Sequence, residues 1–428
     1  MKAVIMAGGK GTRMGTISRE LPKPMVQIEG KPVIERQIDC LKDQGITQFI
    51  LTVGYLGEQV IDYFGDGSGI SPSTGQPFGV QITYYQESRP LGNAGALFQL
   101  RDQLTEDFLL LNGDLIFDID LARFVKFHKE KGGLATVFAH PNDHPYDSTL
   151  LIADADQSVK KWLTTDDVRP RYYQNWVNAG LYLVSPDILQ RDIGSEQIDL
   201  DREVLKPLAG KHQMFCYTSP EYVKDMGTPQ RYAQVCEDVR EGRVQQKNFQ
   251  YEQRAVFLDR DGTINQYAGF VRNPEELQLI DGAAQAIRQM NQAGYLCIVV
   301  TNQPVIARGE VTVEGLQEIH QKMETLLGQQ GAYVDAIYYC PHHPDKGYAG
   351  EIPELKINCN CRKPKPGMLW KAAQDFHINL GKSWMVGDEK TDIMAGKAAG
   401  CRTVLIGKTA YGQDMTVSSL LEFSEKFL

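Results

Sequence analysis

The chain has 428 residues, more than one hydrophobic core usually serves, so we expect two domains. It is 42% hydrophobic and 23% charged with a formal net charge of -9, a balance that argues against general binding to nucleic acids or anionic membranes. Its eight cysteines are too sparse for the disulfide framework of a small secreted domain. Since no apolar stretch reaches membrane-spanning length and glycines cut the N-terminal apolar run short, we expect a cytoplasmic protein.

Strand-like and helix-like segments alternate over residues 1–240. The apolar spacing predicts strands at 2–7, 46–55, 80–87 and 107–114, with helices at 32–45, 57–65 and 93–104. Such alternation predicts βαβ units around a mostly parallel sheet. Short strands between 134 and 185 predict an antiparallel extension, so the first domain is expected to be Rossmann-like with a mixed sheet.

A glycine-rich loop, MAGGKGTRMG (6–15), follows the first strand. Backbone N–H groups in such a loop can approach and cradle phosphates. By itself, however, the loop is equally compatible with a tight structural turn. The motifs that follow it in order are LPKPM (21–25), PLGNAGAL (90–97), LNGD (111–114), NAGLY (178–182) and KDMGTP (224–229).

This ordered set resembles the sugar-nucleotide pyrophosphorylases, which join a sugar 1-phosphate to a nucleoside triphosphate. The resemblance implies that Arg13 grips the triphosphate, that Lys23 neutralises the attacking or α-phosphate, and that Asp114 and Asp225 hold Mg²⁺. A strand-end turn for Asp114 and a helix cap for Asp225 are the structural alternatives. The implied substrate-binding residues are Gly8, Gly9, Gly11, Thr12, Gly92, Asn93, Gly95, Asn112, Asn178 and Gly180. Asn93 replaces the family's usual Thr, and Met14-Gly15 replaces bulkier residues, so the resemblance leaves the choice of base open.

A polar stretch at 241–253 separates this series from a second one. New strands are predicted at 295–303, 336–341, 383–389 and 402–407, with helices at 282–293, 313–330, 367–376 and 392–399. We therefore predict a nucleotidyltransferase domain at 1–243, a linker at 244–253 and a second domain at 254–428.

The second domain opens with VFLDRDGTIN (256–265), which places two carboxylates, Asp259 and Asp261, at the end of a strand. Paired carboxylates there can share a metal or divide nucleophilic and acid–base roles. With IVVTNQ (298–303), Arg362-Lys363 and GDEKTD (387–392), the motif resembles the haloacid-dehalogenase phosphatases.

That resemblance implies an aspartyl-phosphate mechanism. Asp259 would be the nucleophile, Asp261 the general acid and base, and Lys363 the neutralising cation, oriented by Asp392. Mg²⁺ would be held by Asp259, Asp261 and Asp388. The implied substrate-binding residues are Tyr267, Phe270, Thr301, Asn302, Gln303 and Arg362.

No insertion of cap size is evident between Gly309 and Gly381, so we expect an open, Rossmannoid phosphatase site without a large cap. The stretch TINQYAGFVRNPEELQLIDG resembles the D-glycero-D-manno-heptose 1,7-bisphosphate phosphatases, close relatives of the histidinol-phosphate phosphatases. Residues 267–270 would form the substrate loop. Pro304 and Glu389 depart from the usual residues, which leaves contacts to the distal part of the sugar open.

Cys340-x-His342 and Cys359-x-Cys361 form a four-ligand set of thiolates and imidazole that suits tetrahedral Zn²⁺. The same phosphatase subgroup carries a zinc loop here, and a site with no open position would be structural. His343 is a competing ligand, and ordinary buried cysteines are the alternative.

The two implied reactions are consecutive, because loss of the 7-phosphate from the bisphosphate leaves a heptose 1-phosphate that a nucleotidyltransferase can consume. GTP is the favoured nucleotide, from the family pairing alone, and a homo-oligomer is compatible with the sequence. Two alternatives stay open. One is a histidinol-phosphate-type phosphatase fused to another sugar-1-phosphate nucleotidyltransferase, and the other is an inactive sugar-phosphate sensor in the N-terminal half.

Overall fold

The computed structural model describes residues 1–9, 21–87, 89–195, 197–267 and 269–428. These residues form two compact units. Unit 1 consists of Met1–His140, Leu151–Trp162 and Asn178–Asn248, and unit 2 of Pro141–Leu150, Leu163–Val177 and Phe249–Leu428. Two short segments from the N-terminal half therefore pack with the C-terminal unit.

The elements of the N-terminal half alternate as expected. In chain order they are β1 (Ala3–Met6), β2 (Gln27–Ile28), β3 (Lys31–Pro32), α1 (Val33–Asp43), β4 (Gln48–Val53), α2 (Gly57–Phe64), β5 (Gln81–Gln86), α3 (Gly95–Gln99), β6 (Phe108–Asn112), β7 (Leu115–Asp118), α4 (Leu121–Lys131), β8 (Ala135–His140), β9 (Leu150–Ala153), β10 (Val159–Leu163), β11 (Val177–Val184), β12 (Met214–Thr218), β13 (Tyr222–Asp225), α5 (Pro229–Arg240) and α6 (Arg243–Gln246).

The predicted mixed sheet is confirmed. Its main path runs β10-β9-β11-β6-β1-β4-β5, and off this path β8 pairs with β11 and β12 pairs with β8. Strand β1 pairs in parallel with both β4 and β6, whereas β11 is antiparallel to β6. The carboxyl ends of β1 and β6 therefore lie side by side, and the Gly113 N–H of the LNGD motif donates to the Met6 carbonyl at 3.0 Å. A separate antiparallel pair, β7 with β13, places Asp225 opposite Leu115.

One local prediction needs correction, and one helix was not predicted. The helix predicted at 93–104 is helical only over Gly95–Gln99, because the chain leaves the helix in successive turns that include the bond from the Leu104 N–H to the Leu100 carbonyl. Helix α4 was not predicted although its end signals are present. The Asp120 side chain accepts from the Arg123 N–H at its start, and Gly132 adopts φ 66° at its end.

The C-terminal half contains a second α/β series. Its elements are β14 (Ala255–Leu258), α7 (Ala283–Gln292), β15 (Leu296–Asn302), α8 (Val313–Gly328), β16 (Ala336–Cys340), α9 (Gly367–Phe376), β17 (Trp384–Gly387), α10 (Lys390–Ala399), β18 (Arg402–Ile406), β19 (Met415–Val417) and α11 (Leu420–Phe427). The strands form one parallel sheet of order β16-β15-β14-β17-β18-β19. Its central strands β14, β15 and β17 are buried on both faces, as their unbroken apolar runs predict.

The segment Leu163–Val177 docks on helix α8 within unit 2. The Tyr173 N–H donates to the Thr325 hydroxyl at 3.0 Å, and the Asn175 N–H donates to the Glu324 carboxyl at 3.3 Å. Glu324 is 6% exposed, and burial raises its pKa to about 8. No helix in the described ranges is long and apolar enough to cross a membrane.

Candidate active sites

The candidate phosphatase site lies at the carboxyl ends of β14 and β17, the edge at which ligands usually bind in parallel sheets. Asp259 follows β14, and its N–H donates to the Val386 carbonyl of β17 at 2.9 Å. Asp388 follows β17. Lys363, whose side chain is 2% exposed, extends its Nζ to 2.8 Å from Asp259 Oδ1 and 2.6 Å from Asp392 Oδ1. The lysine and nucleophile roles predicted from the sequence thus fall on residues that touch.

Two glycines make room for these carboxylates. A Cβ on Gly262 would lie 2.1 Å from Asp388 Oδ2, and Gly262 also has φ +79°. A Cβ on Gly387 would lie 2.2 Å from Asp392 Oδ2. The glycine of the D-x-D-G-T motif is therefore required by space as well as by backbone conformation.

The charges at this site are strongly coupled. Burial raises the pKa of Asp259 to about 7, and Lys363 opposes that rise. Burial also raises the pKa of Asp388 to about 6, helped by Asp392. Burial alone would lower the pKa of Lys363, but Asp259 and Asp392 raise it above its ordinary value, so the lysine stays charged. The carboxylates of Asp259, Asp388 and Asp392 carry more negative charge than the single Lys363 cation balances. This excess of negative charge favours a bound divalent cation.

The oxygen donors fit such a cation. Ligand atoms of Asp259, Asp388 and Asp392 lie within 4.8 Å of one another. Asp388 Oδ1 is buried and has no hydrogen-bond partner among the described residues. Asp392 is already committed, because Oδ1 pairs with Lys363 and Oδ2 accepts the Glu389 N–H at the start of α10. This supports its predicted role in orienting the lysine.

Asp261 is not in that carboxylate group. Its carboxylate is instead surrounded by side-chain donors. Arg260 donates to both of its oxygens, at 3.0 and 2.9 Å, and Asn265 Nδ2 and Gln303 Nε2 each donate at 3.0 Å. The sequence prediction that Asp261 holds Mg²⁺ together with Asp259 stays a prediction, because its carboxylate is engaged by these donors and lies outside the group of Asp259, Asp388 and Asp392.

The residues of the TNQ motif (301–303) hydrogen-bond to the catalytic candidates of the site. Asn302 exchanges two hydrogen bonds of 3.0 Å with the backbone of Lys363, donating to its carbonyl and accepting its N–H. Gln303 is 1% exposed and donates to the Thr301 hydroxyl at 2.9 Å as well as to Asp261. Both amides, predicted as substrate contacts, are therefore engaged in holding catalytic candidates in place.

Cys340, His342, Cys359 and Cys361 come together as predicted from their spacing. The sulfurs lie 3.2–3.5 Å apart, and His342 Nδ1 is 3.7 Å from Cys340 and 3.4 Å from Cys361. A coordination tetrahedron with Zn–S bonds of about 2.3 Å has edges of about 3.8 Å, so the four donor atoms are slightly closer together than in a zinc site and converge on one point. The ring of His343 is directed elsewhere and accepts the Asp345 N–H at 3.2 Å.

The predicted substrate loop meets a cation that the sequence reasoning missed. The Arg308 guanidinium lies 4.6 Å from the ring centre of Phe270 and 4.4 Å from that of Tyr348. Its Nε is buried without a hydrogen-bond partner in the described part of the chain. Tyr267 is 64% exposed, and Arg362 donates to the His342 carbonyl at 3.2 Å. A stacked arginine of this kind gives no local sequence signal, because its aromatic partners are remote in the chain.

In unit 1, Lys23 forms an ion pair with Asp114, which follows β6. The Met226 N–H donates to the Asp114 carbonyl at 3.1 Å, which holds the KDMGTP turn against LNGD. Asp225 accepts from the Gly227 N–H at 2.6 Å and from Arg231 at 3.2 Å. The two predicted Mg²⁺ ligands therefore lie on adjacent turns, and Asp225 is not the helix cap, a position filled by Thr228.

Close packing explains the glycine of the NAGLY motif (178–182). Gly180 has φ +76°, and a Cβ there would lie 2.5 Å from Asn112 Nδ2. Asn178 accepts the Gly180 N–H at 2.9 Å and donates to the Tyr182 hydroxyl at 2.8 Å. Asn112 and Asn178 are thus placed together by neighbouring strands β6 and β11.

The PLGNAGAL motif (90–97) is held by a turn that is distant in the chain. A Cβ on Gly92, at φ +80°, would lie 2.4 Å from the Ile198 carbonyl, and Asn93 Oδ1 accepts the Leu200 N–H at 2.7 Å. Gly95 is buried at the start of α3. Gly8 and Gly9 follow β1, whereas Gly11, Thr12, Arg13, Met14 and Gly15 lie outside the described residues.

A family model described as nucleotidyl transferase matches residues 2–242. The chain belongs to the nucleotidyl transferase family. Over 237 residues it is 33% identical to the probable mannose-1-phosphate guanylyltransferase 3 of Oryza sativa subsp. japonica, a match that spans 54% of this chain and 63% of the rice protein. The solved structure of HddC from Yersinia pseudotuberculosis complexed with GMP-PN is 26% identical, covers 56% of this chain and 99% of that chain, and has a TM-score of 0.47.

A second model, described as HAD-hydrolase-like, matches residues 360–419. Over 157 residues the chain is 42% identical to the D-glycero-beta-D-manno-heptose-1,7-bisphosphate 7-phosphatase of Pasteurella multocida (strain Pm70), spanning 36% of this chain and 82% of that protein. The C-terminal part of the chain therefore belongs to the haloacid-dehalogenase-like phosphatases. Regions that belong to these two families share one polypeptide, as the two motif series predicted.

Proposed function

We propose that this chain is a bifunctional enzyme of nucleotide-sugar synthesis. Residues 254–428 would remove the 7-phosphate of D-glycero-D-manno-heptose 1,7-bisphosphate, and residues 1–243 would transfer GMP from GTP to the resulting heptose 1-phosphate. The observation that carries the proposal is the pairing of relatives. The phosphatase half resembles an enzyme named for a manno-heptose bisphosphate, and the transferase half resembles enzymes named for mannose 1-phosphate. The two sugars share the manno ring and the 1-phosphate.

The rice relatives also support guanine as the base, since they are named as guanylyltransferases. This chain spans 63% of their length. The residues that would contact the base are those of the 90–97 motif, which includes Asn93. A cytoplasmic location and a homo-oligomer remain predictions from the sequence.

In the phosphatase half, Asp259 would attack phosphorus and form an aspartyl phosphate as the phosphorus bond to the sugar oxygen breaks. Asp261 would give its proton to that leaving oxygen. It would then take a proton from the water that attacks the aspartyl phosphate, and inorganic phosphate would leave with the Asp259 carboxylate restored. Lys363, buried against Asp259, would balance the negative charge of nucleophile and phosphate throughout.

Asp259 and Asp388 would hold Mg²⁺, a cation that prefers hard oxygen ligands and substrate phosphates. The unpartnered Asp388 Oδ1 supports this assignment. When bound, the ion would supply positive charge that screens the phosphoryl oxygens from the attacking carboxylate. In unit 1, Asp114 and Asp225 would hold the second Mg²⁺ site, and the contact of Lys23 with Asp114 would place a cation beside it.

The four-ligand Cys/His cluster would hold structural Zn²⁺, since all four positions of a tetrahedron are filled by protein atoms. Cys361 directly precedes Arg362 and Lys363, so a metal at the cluster would fix the backbone that aims Lys363 at phosphate. Arg308, stacked between two rings and turned to the substrate loop, offers charge for an anionic part of the sugar.

The proposal is tested with variants that separate the two reactions. Asp259→Asn should lower 7-phosphate release by at least about 10³-fold, as loss of a nucleophile does, while transfer to supplied heptose 1-phosphate continues. Asp281→Asn, at an exposed position of the same unit, is the matched control. Loss of both activities in a folded Asp259→Asn protein would contradict the two-site proposal. Release of phosphate from histidinol phosphate but not from the heptose bisphosphate would contradict the proposed substrate.

A further inference from the structure

Arg260, between the two carboxylates of the Asp-Arg-Asp motif, has a fully buried side chain. An arginine is almost never buried to this extent unless its charge is paired. Its Nη2 donates to both oxygens of Asp261, and its Nε lies 3.2 Å from Asp261 Oδ1. The guanidinium thus faces the carboxylate along one edge.

The other side of the guanidinium is fixed by two buried side chains. Nη1 lies 3.3 Å from His320 Nε2 of helix α8, and Nη2 donates to Gln303 Oε1 at 3.1 Å. Burial, together with Arg260, lowers the pKa of His320 well below its ordinary value. A neutral ring protonated at Nδ1 presents Nε2 as an acceptor, which matches the donor that faces it.

We propose that Arg260 and His320 form a positioning pair that holds the Asp261 carboxyl in the orientation needed for proton transfer. This inference rests on the proposed phosphatase function, and it assigns roles to Arg260 and His320, which the proposed mechanism does not otherwise use. Proton transfer requires the acid within about 2.6–3.2 Å of its partner, and a planar guanidinium fixed on both sides restricts the rotation of the carboxyl it grips. Arg260 is sealed from solvent, so it acts through Asp261 and not on the substrate.

The two proton transfers by Asp261 can be separated by choice of substrate. The heptose oxygen needs a proton as its bond to phosphorus breaks, whereas p-nitrophenolate leaves as a stable anion. Hydrolysis of the aspartyl phosphate needs Asp261 as a base with either substrate. A misplaced Asp261 therefore slows both steps with the sugar but only the second step with p-nitrophenyl phosphate.

The experiment is rapid-mixing kinetics on the full chain with His320→Leu and Arg260→Lys. With p-nitrophenyl phosphate, His320→Leu should give a burst near one nitrophenolate per enzyme and then a steady rate about tenfold below the parent, the usual effect of one lost hydrogen bond. With heptose bisphosphate it should show no burst, a kcat about tenfold lower and an unchanged KM. Arg260→Lys should lower kcat on the sugar roughly 10²-fold, within the range of general acid–base catalysis.

His320→Gln provides the rescue control, because a glutamine oxygen can take the place of Nε2 and should restore kcat to within about threefold of the parent. If His320 only stabilises the fold, His320→Leu should lower the burst amplitude and the steady rate together, because a smaller fraction of the enzyme is active. That result would overturn the proposal. An unchanged kcat in His320→Leu would overturn it as well. If the parent hydrolyses p-nitrophenyl phosphate but not the heptose bisphosphate, the proposed substrate fails while the burst test still decides the role of the pair.

Discussion

Glu324 is a buried carboxyl on helix α8 whose only described partner is the Asn175 N–H, and we predict that it makes unit 2 less stable as pH rises. Burial raises its pKa from 4.5 to about 8, so the folded protein keeps a proton that the unfolded chain releases above pH 4.5. Stability from this group is fully present below pH 4.5, declines as pH increases, and is lost above about pH 8. Glu324→Gln keeps the shape and the acceptor but cannot ionise.

The size of the effect follows from the pKa difference. At about 1.4 kcal/mol for each pKa unit, ionisation of Glu324 destabilises the folded state by up to about 5 kcal/mol at pH 8 and above. Relaxation of α8 that admits water would reduce this to roughly 2 kcal/mol. Glu324→Gln should therefore match the parent at pH 4.5 and exceed it by roughly 2–5 kcal/mol at pH 8.5.

The assay is urea unfolding followed by tryptophan fluorescence at the two pH values. Three of the four tryptophans, Trp176, Trp370 and Trp384, belong to unit 2. Glu318→Gln on the exposed face of α8 is the control, and its midpoint should follow the parent at both pH values. An equal midpoint difference between Glu324→Gln and the parent at both pH values would refute the reasoning, because the carboxyl would then be solvated. It would also argue against the docking of Leu163–Val177 on α8.

Three further outcomes follow from the geometry. Gly262→Ala should lower phosphatase activity about 10²-fold by displacing Asp388, because small misplacements of catalytic groups have effects of this size. Gly294→Ala is the control and should leave phosphatase activity within about twofold, since Gly294 has the same φ of +79° but a Cβ there would meet open space. Elemental analysis should find about one zinc per chain, and Cys361→Ser should lose it together with most phosphatase activity while transferase activity persists; full activity without zinc would contradict the proposed role of the cluster. Asp114→Asn should lower nucleotidyl transfer by about 10²-fold or more without affecting phosphate release, and an unchanged transfer rate would support the inactive-sensor alternative.

Much of the fold could be predicted because the central strands of both sheets, β1, β4 and β6 in the first and β14, β15 and β17 in the second, are parallel and buried and read as continuous apolar runs. The Cys/His cluster could be predicted from the spacing of its residues, and the contact of Lys363 with Asp259 could be predicted from the order of the phosphatase motifs. The hydrogen-bond partners of Asp261 could not be predicted from the sequence. Alternation along the strand suggested that its side chain faces the same way as that of Asp259, but the strand ends at Leu258, and the turn that follows carries the carboxylate to Arg260.

Contacts between residues far apart in the chain were the other limit. The motif predicts Gln303 as a substrate contact, but it gives no sign that the Gln303 amide hydrogen-bonds to Asp261, Arg260 and Thr301. Nothing local in α8 predicts that His320 faces that cluster, because its position on the buried face is typical of any core residue. The docking of Leu163–Val177 on α8 could not be predicted from the sequence either, since it depends on tertiary packing and not on periodicity.

The central claim is that one chain carries out two consecutive reactions on a manno-heptose. The most direct measurement incubates the purified protein with D-glycero-D-manno-heptose 1,7-bisphosphate, Mg²⁺ and each of the four nucleoside triphosphates in separate reactions, and identifies the products by mass spectrometry. We predict one phosphate and one pyrophosphate per sugar and accumulation of GDP-heptose with GTP, with heptose 1-phosphate as the product when no nucleotide is present. Recovery of unchanged bisphosphate, or of heptose 1-phosphate that no nucleotide converts, would contradict the account.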